Sequence, residues 1–211
     1  MAELEMKALR SQMNPHFIFN SLQSIQNFLI SNKSEDANEY LLKFSKLMRL
    51  VLENSMQQEV PLKDDILALD LYMQLEQLRF TRPFSYEIIV EDSVNPEVDS
   101  IPPLLLQPFV ENSIWHGLQY KSDSGKMMIM FKKEKETLIC VVEDNGVGRS
   151  FSKKLNEPVF NKESLGMKLT EERISLLHKV HGVEAKLSVF DLFSPENKPS
   201  GTRVEVWLPM T

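Results

Sequence analysis

An α+β fold is predicted by three features of the sequence. Helical periodicity fills the chain as far as Pro83, period-two alternation takes over from Phe84, and further helical stretches interrupt that alternation. The expected arrangement is an N-terminal antiparallel helical hairpin over residues 1–58, followed by an α/β layer over 59–211. A chain of 211 residues can bury about 70% of its unfolded surface, enough for a real core.

Residues 2–31 read as one helix whose apolar stripe changes phase. Met6, Leu9, Met13 and Phe17 share one face, while Ile18, Leu22, Ile25 and Leu29 continue on another. Pro15 sits at the change; a proline inside a helix removes a donor and crowds the preceding turn, so a kink is expected there. Gln12, His16, Asn20 and Gln23 fall together at helical spacing, which puts His16 on a polar face. After a turn at Ser31–Ser34 a second helix follows, with Leu41, Phe44, Met48 and Val51 as its buried stripe and extra apolar positions at Tyr40, Leu47 and Leu50. Apolar faces this wide are expected to pair with a second copy, giving a four-helix bundle about a two-fold axis.

Pro61 opens a third helix carrying Leu62, Ile66, Leu69, Met73 and Phe80, which ends before Pro83. Residues 84–91 read as a strand, 104–116 as a helix stopped by Gly117, and 126–134 with 137–144 as a hairpin. The segment 149–169 has no periodicity and is longer than an ordinary connection, the mark of disorder or of a functional lid. Thr170 caps a helix running to about His181, and strands near 186–192 and 202–209 close the chain.

The net charge of −6 argues against nucleic acid, because Lys132, Lys133 and Lys135 alternate with Glu134 and Glu136 and form no basic stripe. Cys140 is the one cysteine and alternates with Leu138 and Val142, so it reads as packing in a reducing compartment. No apolar run of about 18 residues is present, nor the apolar core of a signal peptide. A soluble portion is expected, with an upstream sensor segment outside it.

Chemistry is carried by three strings: NPHFIFN at Asn14–Asn20, PFVENSIWHG at Pro108–Gly117 and DNGVG at Asp144–Gly148. Asn112 and His116 share a helical face beside Glu111; the Asn112 amide oxygen and the Glu111 carboxylate suit Mg²⁺ or its waters, leaving His116 for a phosphate. A surface helix with ordinary polar residues has the same spacing. Asp144 ends an apolar strand; a carboxylate buried there needs donors, and an adenine amine is one, with Gly146 and Gly148 letting the base lie close to the backbone. An Asn-Gly turn between strands gives the same local string. The amides opening the helix after Gly166 could receive phosphate oxygens beside Lys168 or Arg173, although Glu171 and Glu172 satisfy the helix dipole themselves. Thr202 follows Gly201 in a turn, where its hydroxyl could also approach a nucleotide.

Together these strings resemble the cytoplasmic part of sensor histidine kinases of the LytS/YehU-like class. NPHFIFN is similar to their phosphoacceptor string, PFVENSIWHG to their N box, DNGVG to their first glycine box and GTRVEVWLP to their last glycine strand, on the GHKL-type ATP-binding fold. The resemblance runs from Leu9 to Pro209. It implies ATP and Mg²⁺, phosphorylation of His16, Asn112 as the Mg²⁺ ligand with Glu111 holding water near it, and His116 at the phosphates. It further implies Asp144 as the adenine reader, Gly146 and Gly148 shaping the pocket, Gly166 at the end of the lid and Thr202 beneath the base. Ser164 and Leu169 depart from the usual glycine and asparagine of that lid.

Phosphoryl transfer is mainly positioning and charge neutralisation. A free imidazole has a pKa of ~6.5, so His16 needs aiming more than activation. Phe17 stands where many histidine kinases carry an acid, which leaves Asn20, one turn on, as the candidate for orienting the ring. The partners implied are a second copy, a response regulator with a LytTR-type output, and an upstream membrane or sensor segment at an inner membrane. The competing readings are a dimeric nucleotide-binding scaffold that signals by conformation and an ATPase in which Glu111 activates water.

Overall fold

A computed structural model describes residues 15–80, 84–149, 170, 172–175 and 185–210. It divides into two compact units. One runs through Phe80 and includes Ile101–Leu104; the other comprises Thr81–Ser100 and the chain from Leu105 onward.

Three helices make the first unit: α1 (Pro15–Ile30), α2 (Ser34–Ser55) and α3 (Leu62–Arg79). The turn from α1 to α2 forms because Asn32 takes a φ of +57°, letting the amides of Asn32 and Lys33 reach back to the carbonyls of Leu29 and Phe28 at 3.1 and 2.9 Å. Asparagine tolerates that left-handed geometry better than any apolar neighbour would. Phe17 is buried, its ring 5.2 Å from Tyr72 and 6.1 Å from Phe44. The phase change expected ahead of Pro15 lies outside the described residues.

The buried face of α2 differs from the expected one. Ala37, Tyr40, Leu47 and Val51 face inward, whereas Leu41 and Leu42 are exposed. Tyr40 decides the rotation: its ring lies 5.9 Å from Phe28, and its hydroxyl donates to Ser21 Oγ at 3.2 Å with both groups fully buried. A buried tyrosine needs a partner for its hydroxyl, and on this side Ser21, with Ser24 as a further one, provides it. Burial raises the Tyr40 pKa, so the phenol stays protonated.

α3 follows Pro61 directly, with Asp64 and Asp65 in its first turn and Arg79 in its last, each sign matched to the helix dipole. Its apolar residues are spread around the helix and many are buried, from Leu62 and Leu69 to Met73 and Leu75, with Asp65 and Glu76 buried among them. Asp65, fully buried, accepts the Leu104 amide at 2.7 Å, and Arg79 donates to the buried Glu76 at 2.8 Å. α3 groups with α1 and α2 in this unit.

The second unit is built on a five-stranded sheet of β1 (Phe84–Val90), β2 (Gly125–Glu134), β3 (Thr137–Asp144), β4 (Lys186–Phe193) and β5 (Pro199–Pro209), in the spatial order β1–β2–β3–β5–β4. β1 and β2 are parallel and the remaining neighbours antiparallel. β3 is central, and Leu138–Val142 are buried on both faces, Cys140 among them between its register partners Phe131 and Val206. The cysteine therefore packs, as its alternation suggests.

The helix expected over 104–116 is shorter and less regular. Leu104 has a φ of +57°, which an α-helix cannot contain, so α4 begins at Gln107 and runs to Asn112. Ser113–Gly117 then widens into a π-turn, followed by a 3₁₀ turn at Leu118–Tyr120. Thr170 already lies in a helix that includes residues 172–175, with Thr170 and Ile174 buried. Its run toward His181 lies outside the described residues. No helix among the described residues is long and apolar enough to cross a membrane.

Candidate functional site

Asp144 ends β3 with its carboxylate buried. Ser113 Oγ donates to Oδ2 at 2.9 Å and the Gly146 amide to Oδ1 at 2.8 Å, with the Thr202 backbone as a further partner. Burial raises the Asp144 pKa above its usual range, and these donors act against that shift without cancelling it. A carboxylate offers about four lone-pair positions, so room remains for a ligand donor. Asn145 sets the loop: its side-chain oxygen accepts the Lys126 amide at 2.7 Å and its own amide reaches the Lys126 carbonyl at 3.1 Å, extending the β2–β3 ladder by one residue before the glycines.

Two chain segments then meet at glycines. A Cβ on Gly146 would lie 2.5 Å from Gly117 Cα and 2.7 Å from Asp144 Oδ1, so only glycine fits. Gly201, with a φ of +145°, presses against the Asp144 carbonyl so closely that no side chain is possible. The Val147 amide donates to the Gly117 carbonyl at 3.3 Å. The π-turn is what delivers Gly117: one widened turn brings both Ser113 and Gly117 onto Asp144, whereas an α-helix would aim fewer backbone groups there.

On the same helix Glu111 and Asn112 are half-buried, and Gln107 Nε2 donates to Glu111 Oε1 at 2.9 Å. His116 stands at the rim; loss of hydration around its ring lowers its pKa, favouring neutral imidazole. Thr202 is half-buried and directly opposite Asp144 in the β3–β5 register. Gly148 has a φ of +75° and packs on Pro199. Gly166, Lys168, Ser164 and Leu169 lie outside the described residues. His16 and Asn20 belong to α1 in the helical unit; Asn20 is half-buried, and its carbonyl accepts the Ser24 hydroxyl at 2.9 Å.

A cavity of about 580 Å³ opens at the same end of the sheet, lined by Ser85, Glu87, Lys126, Met128, Glu143 and Asn145 among others. Glu87, Met128 and Glu143 are register partners on the face opposite Met127 and Asp144. Met127 and Asp144 line it as well, so the hollow borders the Asp144 end of β3 and adjoins the candidate site.

Comparison with known proteins bears on this arrangement directly. Residues 4–84 match the histidine kinase family. The sensor protein LytS of Oceanobacillus iheyensis is 32% identical over 220 residues, covering 99% of this chain and 35% of that protein. The sensor histidine kinase BtsS of Escherichia coli K12 is 32% identical over 174 residues, covering 82% of this chain and 29% of its own. The chain belongs to the histidine kinase family.

It spans roughly a third of the length of these curated relatives, 35% and 29%. Among solved structures, the histidine kinase domain from the blue-light activated histidine kinase of Erythrobacter litoralis EL346 superposes with a TM-score of 0.54 at 16% identity, covering 100% of this chain and 96% of that one. The shared feature is the fold: helices followed by a mixed sheet, as in histidine kinase catalytic domains. Within this family member, sequence reasoning picked out Asp144 and its glycines but missed Ser113 and Gly117 as their partners. The signal was available: in an α-to-π transition the small residues of SIWHG are those that can approach another backbone.

Proposed function

We propose that this chain is the kinase portion of a two-component sensor: an ATP-dependent protein-histidine kinase that phosphorylates His16 and passes the phosphoryl group to an aspartate of a response regulator. The observation that carries this reading is the buried Asp144 carboxylate, fixed by Ser113 and Gly146 among close-packed glycines, on a chain whose α1 carries His16 and Asn20. A purine amine donating to Asp144 would complete its hydrogen bonding, while the close-packed glycines fix the backbone around that carboxylate.

The side-chain oxygens of Glu111 and Asn112, half-buried at the end of one helix, fit a hard cation such as Mg²⁺, with Asn112 as the ligand and Glu111 holding its water. Bound there, that ion supplies charge neutralisation for the phosphates. The chain's own groups do the rest. His116, exposed and with its pKa lowered by partial loss of hydration, donates a hydrogen bond at the phosphates as neutral imidazole. The unprotonated nitrogen of His16 attacks the γ-phosphorus; an N–P bond forms as the bond to the ADP oxygen breaks, and the ring then releases its other N–H proton to water. Asn20, one turn from His16, orients the ring. Beyond the described residues, Gly166 and Lys168 would close over the phosphates.

The working form is a homodimer, its partner a response regulator of LytTR-type output, and the chain the cytoplasmic portion of an inner-membrane sensor. Incubation with γ-labelled ATP and Mg²⁺ tests the reading. Acid-labile, alkali-stable label on the protein that is lost in His16→Gln is the expected result. Nucleotide binding without label would point to a conformational scaffold, and free phosphate released equally by His16→Gln to an ATPase.

A further inference from the structure

The loop that carries Asp144 leaves toward Ser150 through a pair of side chains that the nucleotide reading does not use. Arg149 Nε and Nη2 donate to Asp191 Oδ1 and Oδ2 at 2.7 and 2.8 Å, a two-pronged bond between residues 42 apart in the chain. Asp191 lies on the edge strand β4, opposite Thr202 of β5, and Thr202 is opposite Asp144 of β3. Residues paired across neighbouring strands project to the same face, so Asp144, Thr202 and Asp191 form one row across the end of the sheet.

We propose that the Arg149–Asp191 pair is a positioning clamp for the nucleotide site, holding the Asn145–Gly148 loop in the shape in which Asp144 and its glycines accept a purine. The inference rests on the ATP-binding reading above and adds two residues to it. Three attachments tie this loop to the β4–β5 hairpin. Gly201 abuts the Asp144 carbonyl at the root of the loop, and Gly148 packs on Pro199, where a Cβ would approach Pro199 Cβ to 2.9 Å. Those two are steric and cannot be relaxed without disturbing the sheet. The third, at the exit, is the guanidinium fork, whose planar two-point geometry fixes direction as well as distance.

The side chains of Arg149 and Asp191 are 47% and 39% exposed, so solvent screens their attraction and the fold does not depend on it. What the pair restricts is local. Asn145, Gly146 and Val147 are already held by Lys126, Asp144 and Gly117, so the backbone freedom left in the loop is concentrated at Gly148 and its exit. β4 holds the exit because its own pairing with β5 is continuous from Lys186 to Leu192. A site whose purine reader is rigid but whose neighbouring loop wanders would bind ATP weakly while transferring phosphate normally once it was bound. The clamp is thus expected to act on ATP affinity.

The test uses the whole chain with Arg149→Ala, Asp191→Asn and the charge-exchanged double variant Arg149→Asp/Asp191→Arg. Amide hydrogen exchange at Gly146, Val147 and Gly148 is measured without nucleotide, alongside binding of a fluorescent ATP analogue and the steady-state KM and kcat of autophosphorylation. Both single variants should exchange faster at these three amides with an unchanged melting temperature. The KM for ATP should rise roughly fivefold with kcat nearly constant, the mark of lost ground-state binding. The double variant should recover both properties.

Unchanged exchange in the single variants overturns the clamp, whether or not nucleotide binds. A double variant as loose as the singles also overturns it, because the effect then does not lie in the pair. Weak binding confined to Arg149→Ala, with exchange unaltered, would assign the guanidinium to the nucleotide itself and equally overturn the proposal. If the wild-type chain binds no ATP, the kinase reading fails, yet the exchange comparison still decides whether the pair holds the loop.

Discussion

Asp144 is costly to keep charged, because burial opposes its ionisation and its hydrogen-bond donors offset that only in part. Its pKa is raised by burial, so the native state holds its proton more tightly than the unfolded chain does. Between the ordinary value of 3.8 and the raised one, the folded form binds more protons. The Asp144 contribution to stability is therefore fully present below 3.8 and is lost as pH rises through the native pKa. Asp144→Asn removes that dependence. Its amide keeps two of the three contacts: Oδ1 accepts the Gly146 amide and Nδ2 donates to a rotated Ser113 hydroxyl, while the Thr202 amide is left to share Oδ1. The variant should melt at or above the wild-type temperature at neutral pH, and the difference should shrink toward pH 3 in a urea series. ATP affinity should meanwhile fall by at least about tenfold, since an amide nitrogen now faces the purine amine. Retained affinity in a folded Asp144→Asn chain would remove the basis of the nucleotide reading. Ser113→Ala is the milder counterpart, costing about 1 kcal/mol of binding through a less well-held carboxylate.

At the scale of elements, strands were legible and the helix that builds the site was only partly so. Alternation placed β2, β3, β4 and β5 to within three residues, because each has one face that must be apolar. The run Leu104–Leu106 looks helical by composition, but Leu104 follows two prolines and adopts a φ of +57°. It is held there by Asp65 of α3, 39 residues away in sequence, and no local pattern discloses such a bond. For the same reason α2 was rotated: its outer apolar residues are as regular as its inner ones, and the deciding contact is the Tyr40–Ser21 hydroxyl pair. The Asp65 bond yields a prediction at this scale. Asp65→Ala leaves the buried Leu104 amide without its acceptor and should destabilise the helical unit by about 1–3 kcal/mol, read as a lower urea midpoint with an unchanged slope. A smaller effect would mean that Leu104 keeps its backbone geometry by packing alone.

For the whole molecule, the rotated α2 changes which residues are available to a second copy. Phe19, Leu22 and Ile30 of α1, with Leu41, Leu42 and Leu52 of α2, are between 45% and 73% exposed. Single exposed apolar residues are ordinary, but these recur at helical spacing on two neighbouring helices of one unit. Each leucine-sized side chain so covered contributes about 1.5–3 kcal/mol, so a handful suffices for a stable pair against the entropy lost on association. The dimer expected from the over-wide apolar faces thus keeps its argument, with the contacting residues exchanged: Leu41 and Leu42 outward, Tyr40 and Leu47 inward. Leu22→Glu with Leu42→Glu should convert the chain to a monomer by sedimentation velocity while leaving its helical circular dichroism intact, because neither residue contributes to the buried core. Tyr40→Glu, by contrast, should unfold the helical unit. The proposed ATP site lies in the other compact unit, so ATP binding should survive the first pair of changes. A wild-type chain that sediments as a monomer at micromolar concentration would show that these side chains serve some other partner.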